Sequence, residues 1–359
     1  MKRLVNYILK YVAPVCLMVL FLSSCSMMSE PEQDCDPKYK VRFRFDRNML
    51  YADAFSTQVG EVNLYVFNEL GELVWKGFED GPALSIEGYS MDLPLAPGKY
   101  RFVAWCRKRN PNASDFELEE ERSPSVPGDL RIRLQREYDL SIAHSSSDIH
   151  ALFHGQLDNV ELPDRPGVHQ VLIPLTKDTN SIRIMLVHLN GKKIDKGDFS
   201  FKITDDNGYL NHDNSILEDE NIEYRAWAKR EGVASMNPPV ANDPNRSIQA
   251  ITPLNQLTRA TLTEVHSLVA EMTTSRLQTT QRPILTVTRN SDNEKIIEVP
   301  IIDYFLMVKG EYHRPMDDNE YLDRQDDYSI TFFLLDDGSW YKAVVDILSW
   351  RVVLQNADL

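Results

Sequence analysis

Cys25 is the residue whose type and setting best suit covalent chemistry. It closes the run Leu22-Ser23-Ser24-Cys25, and a thiolate is the side-chain nucleophile most readily available near neutral pH. The small residues before it let the bond between Ser24 and Cys25 enter a peptidase. Other sets are thinner. His144, His150 and His154 come nearest to a ligand cluster, and the last two would share a face if that segment were helical. No acidic residue sits between them as a zinc-protease motif requires, so neither a metal nor any other cofactor is expected. The acidic runs Asp317-Asp318-Asn319-Glu320, Asp323-Arg324-Gln325-Asp326-Asp327 and Asp336-Asp337-Gly338 lack the alternating ligands and closing glutamate of a calcium loop. Turn residues ahead of strands explain them equally well. The chain has no Gly-x-Ser-x-Gly elbow, no Gly-rich phosphate loop and no basic–aromatic stripe. Trp227 and Tyr209 have rings that could stack on a sugar, but single aromatics in strand proteins are more often core. The expectation is a protein that is not an enzyme.

The setting of Cys25 gives its chemistry a purpose. Lys2, Arg3 and Lys10 precede an apolar run over residues 11–22, and small residues follow. That is the layout of a signal peptide over residues 1–24. The run is shorter than the roughly 18–20 residues of a spanning helix. Leu22-Ser23-Ser24-Cys25 resembles the lipobox of bacterial lipoproteins, in which the cysteine takes diacylglycerol and becomes the new N-terminus. Several acyl chains on one residue give lasting attachment where one chain is marginal. Loss of residues 1–24 removes three cations and no anion, taking the formal charge from −15 to −18. So acidic a surface repels nucleic acid and anionic headgroups, and no nucleic-acid partner is expected.

Roughly 335 residues remain, enough for two domains that each bury a core. Beyond Cys25 lie Cys35 and Cys106. Outside the reducing cytosol they could form a disulfide or stay as two thiols, since spacing alone does not supply the Cα separation.

These residues need a scaffold, and the apolar pattern supplies one. Residues 25–37 are polar, acidic and aperiodic, an acylated tether. Strict alternation begins at Val41, Phe43 and Phe45, with Arg42 and Arg44 on the other face. Val62, Leu64 and Val66 alternate with Asn63, Tyr65 and Phe67, and a turn at residues 68–72 leads to Leu73-Val74-Trp75 as a hairpin. Further strands are expected at 89–95, 100–105, 130–134 and 168–175, completing a first sandwich over residues 38–176. A second series, at 181–187, 199–203, 284–288, 328–335, 340–348 and 350–354, makes a second over 177–359. Residues 262–272 fit a helical face or a strand and stay open. Residues 301–308 read as a short helix, and 111–127 and 235–245 as exposed loops.

Particular strings now become recognisable: Asp46-Arg47-Asn48-Met49, then Ala52-Asp53-Ala54-Phe55, then Val62-Asn63-Leu64-Tyr65-Val66-Phe67. Ala96-Pro97-Gly98-Lys99-Tyr100 leads to Trp105, and Tyr321-Leu322-Asp323-Arg324 leads through residues 328–334 to Trp340 and Trp350-Arg351-Val352-Val353. In this order, after the lipobox, they resemble the FimB-like fimbrial anchor lipoproteins of Bacteroides-type bacteria over essentially the whole mature chain. Cys106 departs from the pattern, standing where a glycine would follow the strand tryptophan.

The resemblance implies an all-β chain of two tandem transthyretin-like β-sandwich domains. It also implies an outer-membrane lipoprotein at the cell surface, at the base of a fimbria, that fixes the fibre and limits its length. The partners implied are a fimbrillin stalk subunit and the outer membrane, reached through the lipid. Subunits of this superfamily join by strand addition, which satisfies rows of backbone donors and acceptors while alternate side chains fill pockets. Cleavage after Arg47, as in stalk subunits, would release the lipid-bearing piece, so the bond between Arg47 and Asn48 is expected to stay intact. The C-terminal strands carrying Trp340, Val344, Trp350, Val352 and Leu354 are candidates for the stalk contact, or ordinary core. Alternatives to the anchor are a fimbrial tip adhesin or a surface glycan- or host-binding lipoprotein, and a hydrolase with a dispersed site.

Overall fold

In the computed structural model the described residues are 36–108, 115–120, 125–188, 190–234, 265–309, 313–335, 340–347 and 350–355. The chain opens with β1 (Pro37–Arg44), the one-turn helix α1 (Phe55–Gln58), β2 (Glu61–Asn68), β3 (Leu73–Asp80), β4 (Met91–Leu93) and β5 (Gly98–Arg107). Next come β6 (Phe116–Glu120), β7 (Leu130–Leu134), β8 (Glu137–Asp139), β9 (Ile142–Ser145), β10 (Leu152–Leu162), β11 (Gly167–Pro174) and β12 (Thr176–Lys177). Then follow β13 (Thr179–His188), β14 (Phe199–Asp205), β15 (Tyr209–Leu210), β16 (Ile222–Arg225), β17 (Ala228–Ala234), β18 (Val265–Ser275), β19 (Ile284–Arg289) and β20 (Glu294–Pro300). Helices α2 (Ile301–Met307) and α3 (Asp318–Arg324) precede β21 (Asp327–Leu334), β22 (Trp340–Ile347) and β23 (Trp350–Gln355). The fold is all-β.

A three-stranded sheet, β11-β1-β4, faces a five-stranded sheet, β12-β10-β5-β2-β3. Between them lies a core containing Val41, Phe43 and Phe45 from β1 and its exit, with Val62, Leu64, Val66, Phe102, Ala104 and Cys106. The other face of the five-stranded sheet is buried too. Tyr65, Phe67, Val103 and Trp105 belong to the second core. Burial on both faces explains why β2 and β5 read as near-continuous apolar runs. Gly155 lets the sheets approach here, because a Cβ would stand 2.6 Å from Ile173 Cγ2 and 2.9 Å from the Pro174 carbonyl oxygen.

Two six-stranded sheets, β17-β18-β13-β21-β22-β23 and β20-β19-β14-β16-β9-β8, and a small sheet, β15-β7-β6, surround the second core. Residues 130–134, expected in the first sandwich, instead pair with β6 and with β15. β9 likewise runs parallel to β16. These early segments give hydrogen-bond partners to short later strands that would otherwise be left with open edges. Phe116, inside the loop expected over 111–127, is buried in the same core.

The segment left open at 262–272 is strand β18 from Val265 onward. Leu268, Ala270 and Met272 face inward on a period of two, and the small Ala270 hides that period from a hydropathy reading. α2 occupies the position expected for a short helix. The first acidic run is a helix start, not a turn before a strand: Asp317 caps α3 by accepting from the backbone N–H groups of Asn319 and Glu320. The loop expected at 235–245 lies outside the described residues.

Candidate functional site: the tether end and the C-terminal sheet edge

β1 is the first strand of the described chain. All eight of its residues pair in parallel with β11, from Pro37 opposite Gly167 to Arg44 opposite Pro174. Tyr39, Lys40 and Val41 also pair antiparallel with β4. The Tyr39 hydroxyl donates to the Pro163 carbonyl at 2.8 Å.

The loop after β1, which holds the bond between Arg47 and Asn48, is closed on itself. Asp53 Oδ1 accepts from the N–H groups of Phe45 and Phe55, each at 3.0 Å. Asn48 Nδ2 donates to the carbonyls of Phe45 at 3.0 Å and Ala52 at 2.8 Å. From α3, Arg324 donates to the Asp46 carbonyl at 3.3 Å and lies 4.9 Å from the centre of the Tyr51 ring. Asp53 and Asn48 are polar loop residues of the type that bond their own backbone, a signal legible in sequence. Arg324 comes from 278 residues away and is not.

Between β12 and β13, titratable groups are buried together. Asp178, between β12 and β13, is fully buried. Its Oδ1 accepts from Asn214 Nδ2 at 2.8 Å, and Oδ2 has no hydrogen-bond partner among the described residues. Arg276 stands 3.7 Å away, but its nitrogens donate to Asp323 and to the Asn214 carbonyl. Burial therefore outweighs the cation and pushes the Asp178 carboxyl up to about 7. Lys177 pairs with Asp326 across the same junction.

At the other end of the chain, β21 lies parallel to β13 and antiparallel to β22, and β23 forms the edge. Val344 stands opposite Thr331 on one side and Val353 on the other. In register, Val345 is opposite Val352, Ala343 opposite Leu354 and Ile347 opposite Trp350. The valines and Ile347 are β-branched, a type that favours strands. Trp340 is half-buried and packs edge-to-face on Phe332 at 5.6 Å. Among the described residues β23 pairs with β22 alone, so its outer edge presents open backbone donors and acceptors.

The histidines do not converge. His144 on β9 is near Glu137 at 3.4 Å, His150 Nδ1 meets Asp115 at 2.8 Å, and His154 on β10 packs 4.6 Å from Trp105 and bonds the His212 carbonyl at 2.7 Å. Burial drops His154 to about 4. Among the described residues no group of three or more His, Cys, Asp or Glu is placed to hold a metal. Tyr209 is buried, with Arg133 3.8 Å from its ring centre and its hydroxyl donating to Glu119 at 2.6 Å, so its face is already covered. Trp227 is half-buried and donates to Thr273 Oγ1 at 3.2 Å. Cys106 is a buried free thiol, held protonated by desolvation and then by Glu61. Ser24, Cys25 and Cys35 lie outside the described residues. No helix among the described residues is long and apolar enough to cross a membrane.

The model of the family described as fimbrillin-A associated anchor proteins Mfa1 and Mfa2 matches residues 31–356. A solved structure from Bacteroides thetaiotaomicron, described as a candidate adhesin, is 31% identical over 89% of this chain and 99% of its own, with a TM-score of 0.72. Another from that organism, described as a candidate polysaccharide-binding protein, is 28% identical over 90% of this chain and 100% of its own, with a TM-score of 0.70. The fimbrial anchor protein Mfa2 of Porphyromonas gingivalis shares the fold, with a TM-score of 0.61 at 14% identity over 89% of this chain and 99% of its own. No curated protein matches. A family match reaching from residue 31 through the edge strand β23 means that this chain belongs to the fimbrillin-A associated anchor proteins and is a fimbria-associated protein of the cell surface.

Proposed function

We propose that the chain is an outer-membrane lipoprotein that anchors a fimbria, acylated on Cys25 after cleavage behind Ser24, and that it limits fibre length by occupying the fibre's base. The observation that carries this reading is the family match over residues 31–356, which begins just past the lipobox cysteine. Residues 25–36 are the tether, one residue shorter than expected because Pro37 already pairs in β1. Residues 37–176 and 177–359 are the two bodies, with β6 to β9 lent to the second. The open edge of β23 is the surface offered to a fimbrillin stalk subunit, since a strand added there satisfies a full row of backbone groups. An anchor of this kind needs no catalytic set.

Replacement Cys25→Ser tests the lipid. The expected result is loss of palmitate labelling and shedding of fibres into the medium; fibres retained at parental levels overturn the anchor. Removal of residues after Ser349, in a chain that keeps its melting temperature, is expected to detach fibres in the same way. A second reading is supported by the 31% identical relative, a candidate adhesin, and by the 28% identical candidate polysaccharide-binding protein. On that reading the chain is a surface adhesin. Immunogold at the fibre base favours the anchor, and label at the distal tip favours the adhesin.

A further inference from the structure

Load on such a protein enters through the tether at Pro37, and the first sandwich hands the chain to the second through β12 at the opposite end of β1, beside Arg44 and Pro174. A pull on the tether against the second body therefore runs along β1. We propose that β1 is a tension clamp, loaded in shear against β11 and β4, which makes the first sandwich the mechanical fuse of the attachment. The mechanical purpose rests on the anchoring role above; the mechanics rest on strand geometry alone.

Three observations carry it. First, the β1 and β11 pairing is parallel and in register over eight residues, with β4 bonded to the other edge. A pull along a strand bonded on both sides loads those hydrogen bonds together, so they must fail in one step. A pull across a strand end breaks them one after another at lower force. Second, Val41, Phe43 and Phe45 are buried on one face. Sliding β1 by one residue would turn that set outward and put Arg42 and Arg44 into the core, so no small slip relieves the load. Third, the far end of β1 is fastened. The Leu175 N–H donates to the Arg44 carbonyl at 2.8 Å, the Ala54 N–H to the Phe45 carbonyl at 2.9 Å, and Arg324 of α3 to the Asp46 carbonyl at 3.3 Å. The tether strand is thereby tied into the second body as well as the first.

The test is single-molecule pulling of the unacylated mature chain, residues 25–359, between its N-terminus and a C-terminal handle. A second geometry moves the first handle to the exposed loop beyond β1, using Leu50→Cys in a background carrying Cys25→Ser and Cys35→Ser, so that the load bypasses the tether end of β1. Leu50 is 79% exposed. The expected result is one rupture event in the N-terminal geometry, at a force at least about twofold above the Leu50 geometry at equal loading rate. Phe43→Ala is expected to lower the N-terminal rupture force. Stepwise release of β1 from the N-terminus, or equal forces in the two geometries, overturns the clamp. Where Leu50→Cys does not fold, the single or stepwise character of rupture in the unaltered chain decides. A weak chain that still retains fibres on cells defeats the clamp and leaves the anchor standing; a strong chain whose loss leaves fibres attached does the reverse.

Discussion

Arg276 closes a two-point fork on Asp323, with Nε to Oδ1 and Nη2 to Oδ2 both at 2.9 Å and both side chains nearly buried. The fork joins the end of β18 to α3 and stands beside Asp178, where the chain passes from β12 to β13. Desolvation would lower the arginine's proton affinity, but its carboxylate partners raise it overall, so the cation persists.

Removing one member of such a group costs more than the pair contributes, because the remaining charge stays buried without a partner. Arg276→Met is expected to lose about 3–5 kcal/mol of unfolding free energy. Urea denaturation followed by tryptophan fluorescence measures it. A loss below about 1 kcal/mol would show that water reaches the site.

The junction also predicts opposite pH slopes. Asp178 is about 7 in the fold against about 3.9 unfolded, so its contribution is complete below about 3.9 and is lost as pH rises towards 7. His154 is about 4 against about 6.5 unfolded, so its contribution is present above about 6.5 and is lost as pH falls towards 4. The stability difference between Asp178→Asn and the parent should therefore rise from pH 4 to 7. The difference between His154→Gln and the parent should fall over pH 4 to 6.5. Taking differences cancels the remaining groups, including Asp205, which burial also raises to about 7. Denaturation series at four pH values would show the two slopes, and slopes of the same sign would refute the assignment.

The closed loop after β1 should protect its arginine. An arginine-specific protease is expected to leave the bond between Arg47 and Asn48 intact in the folded chain. Asp53→Ala, which removes the acceptor for two N–H groups, should speed cutting there by roughly tenfold, the consequence of losing about 1.4 kcal/mol of local closure. N-terminal sequencing of the fragments reads the site, and a natural mature form beginning at Asn48 would contradict the expectation.

Trp105 lies in the five-stranded sheet with its side chain in the second core, against His154. Trp105→Ala is expected to cost about 3–5 kcal/mol. It should also shift the His154 titration upward as water enters, measurable by proton resonance of the imidazole. Unfolding of the first sandwich alone, with the second core intact, would show that the sheet is not shared.

Much of this protein was written locally. The alternation of β1, the hairpin turn at residues 68–72, the helix at 301–307 and most of the later strands follow from side-chain period and turn chemistry, which act between near neighbours. The order of motifs was enough to suggest the family. Tertiary structure decided what depends on distant partners. It set which sheet receives 130–134, because β15 lies some 75 residues further on and needs a mate. It buried both faces of β2 and β5, one against each core. It scattered His144, His150 and His154 by placing them on and beside strands instead of on a helix. It also brought Asp178, Asn214, Arg276 and Asp323 together, a polar cluster with no spacing to announce it. A sequence records the preference of each segment, while a buried charge finds its partners only once the chain has closed around it.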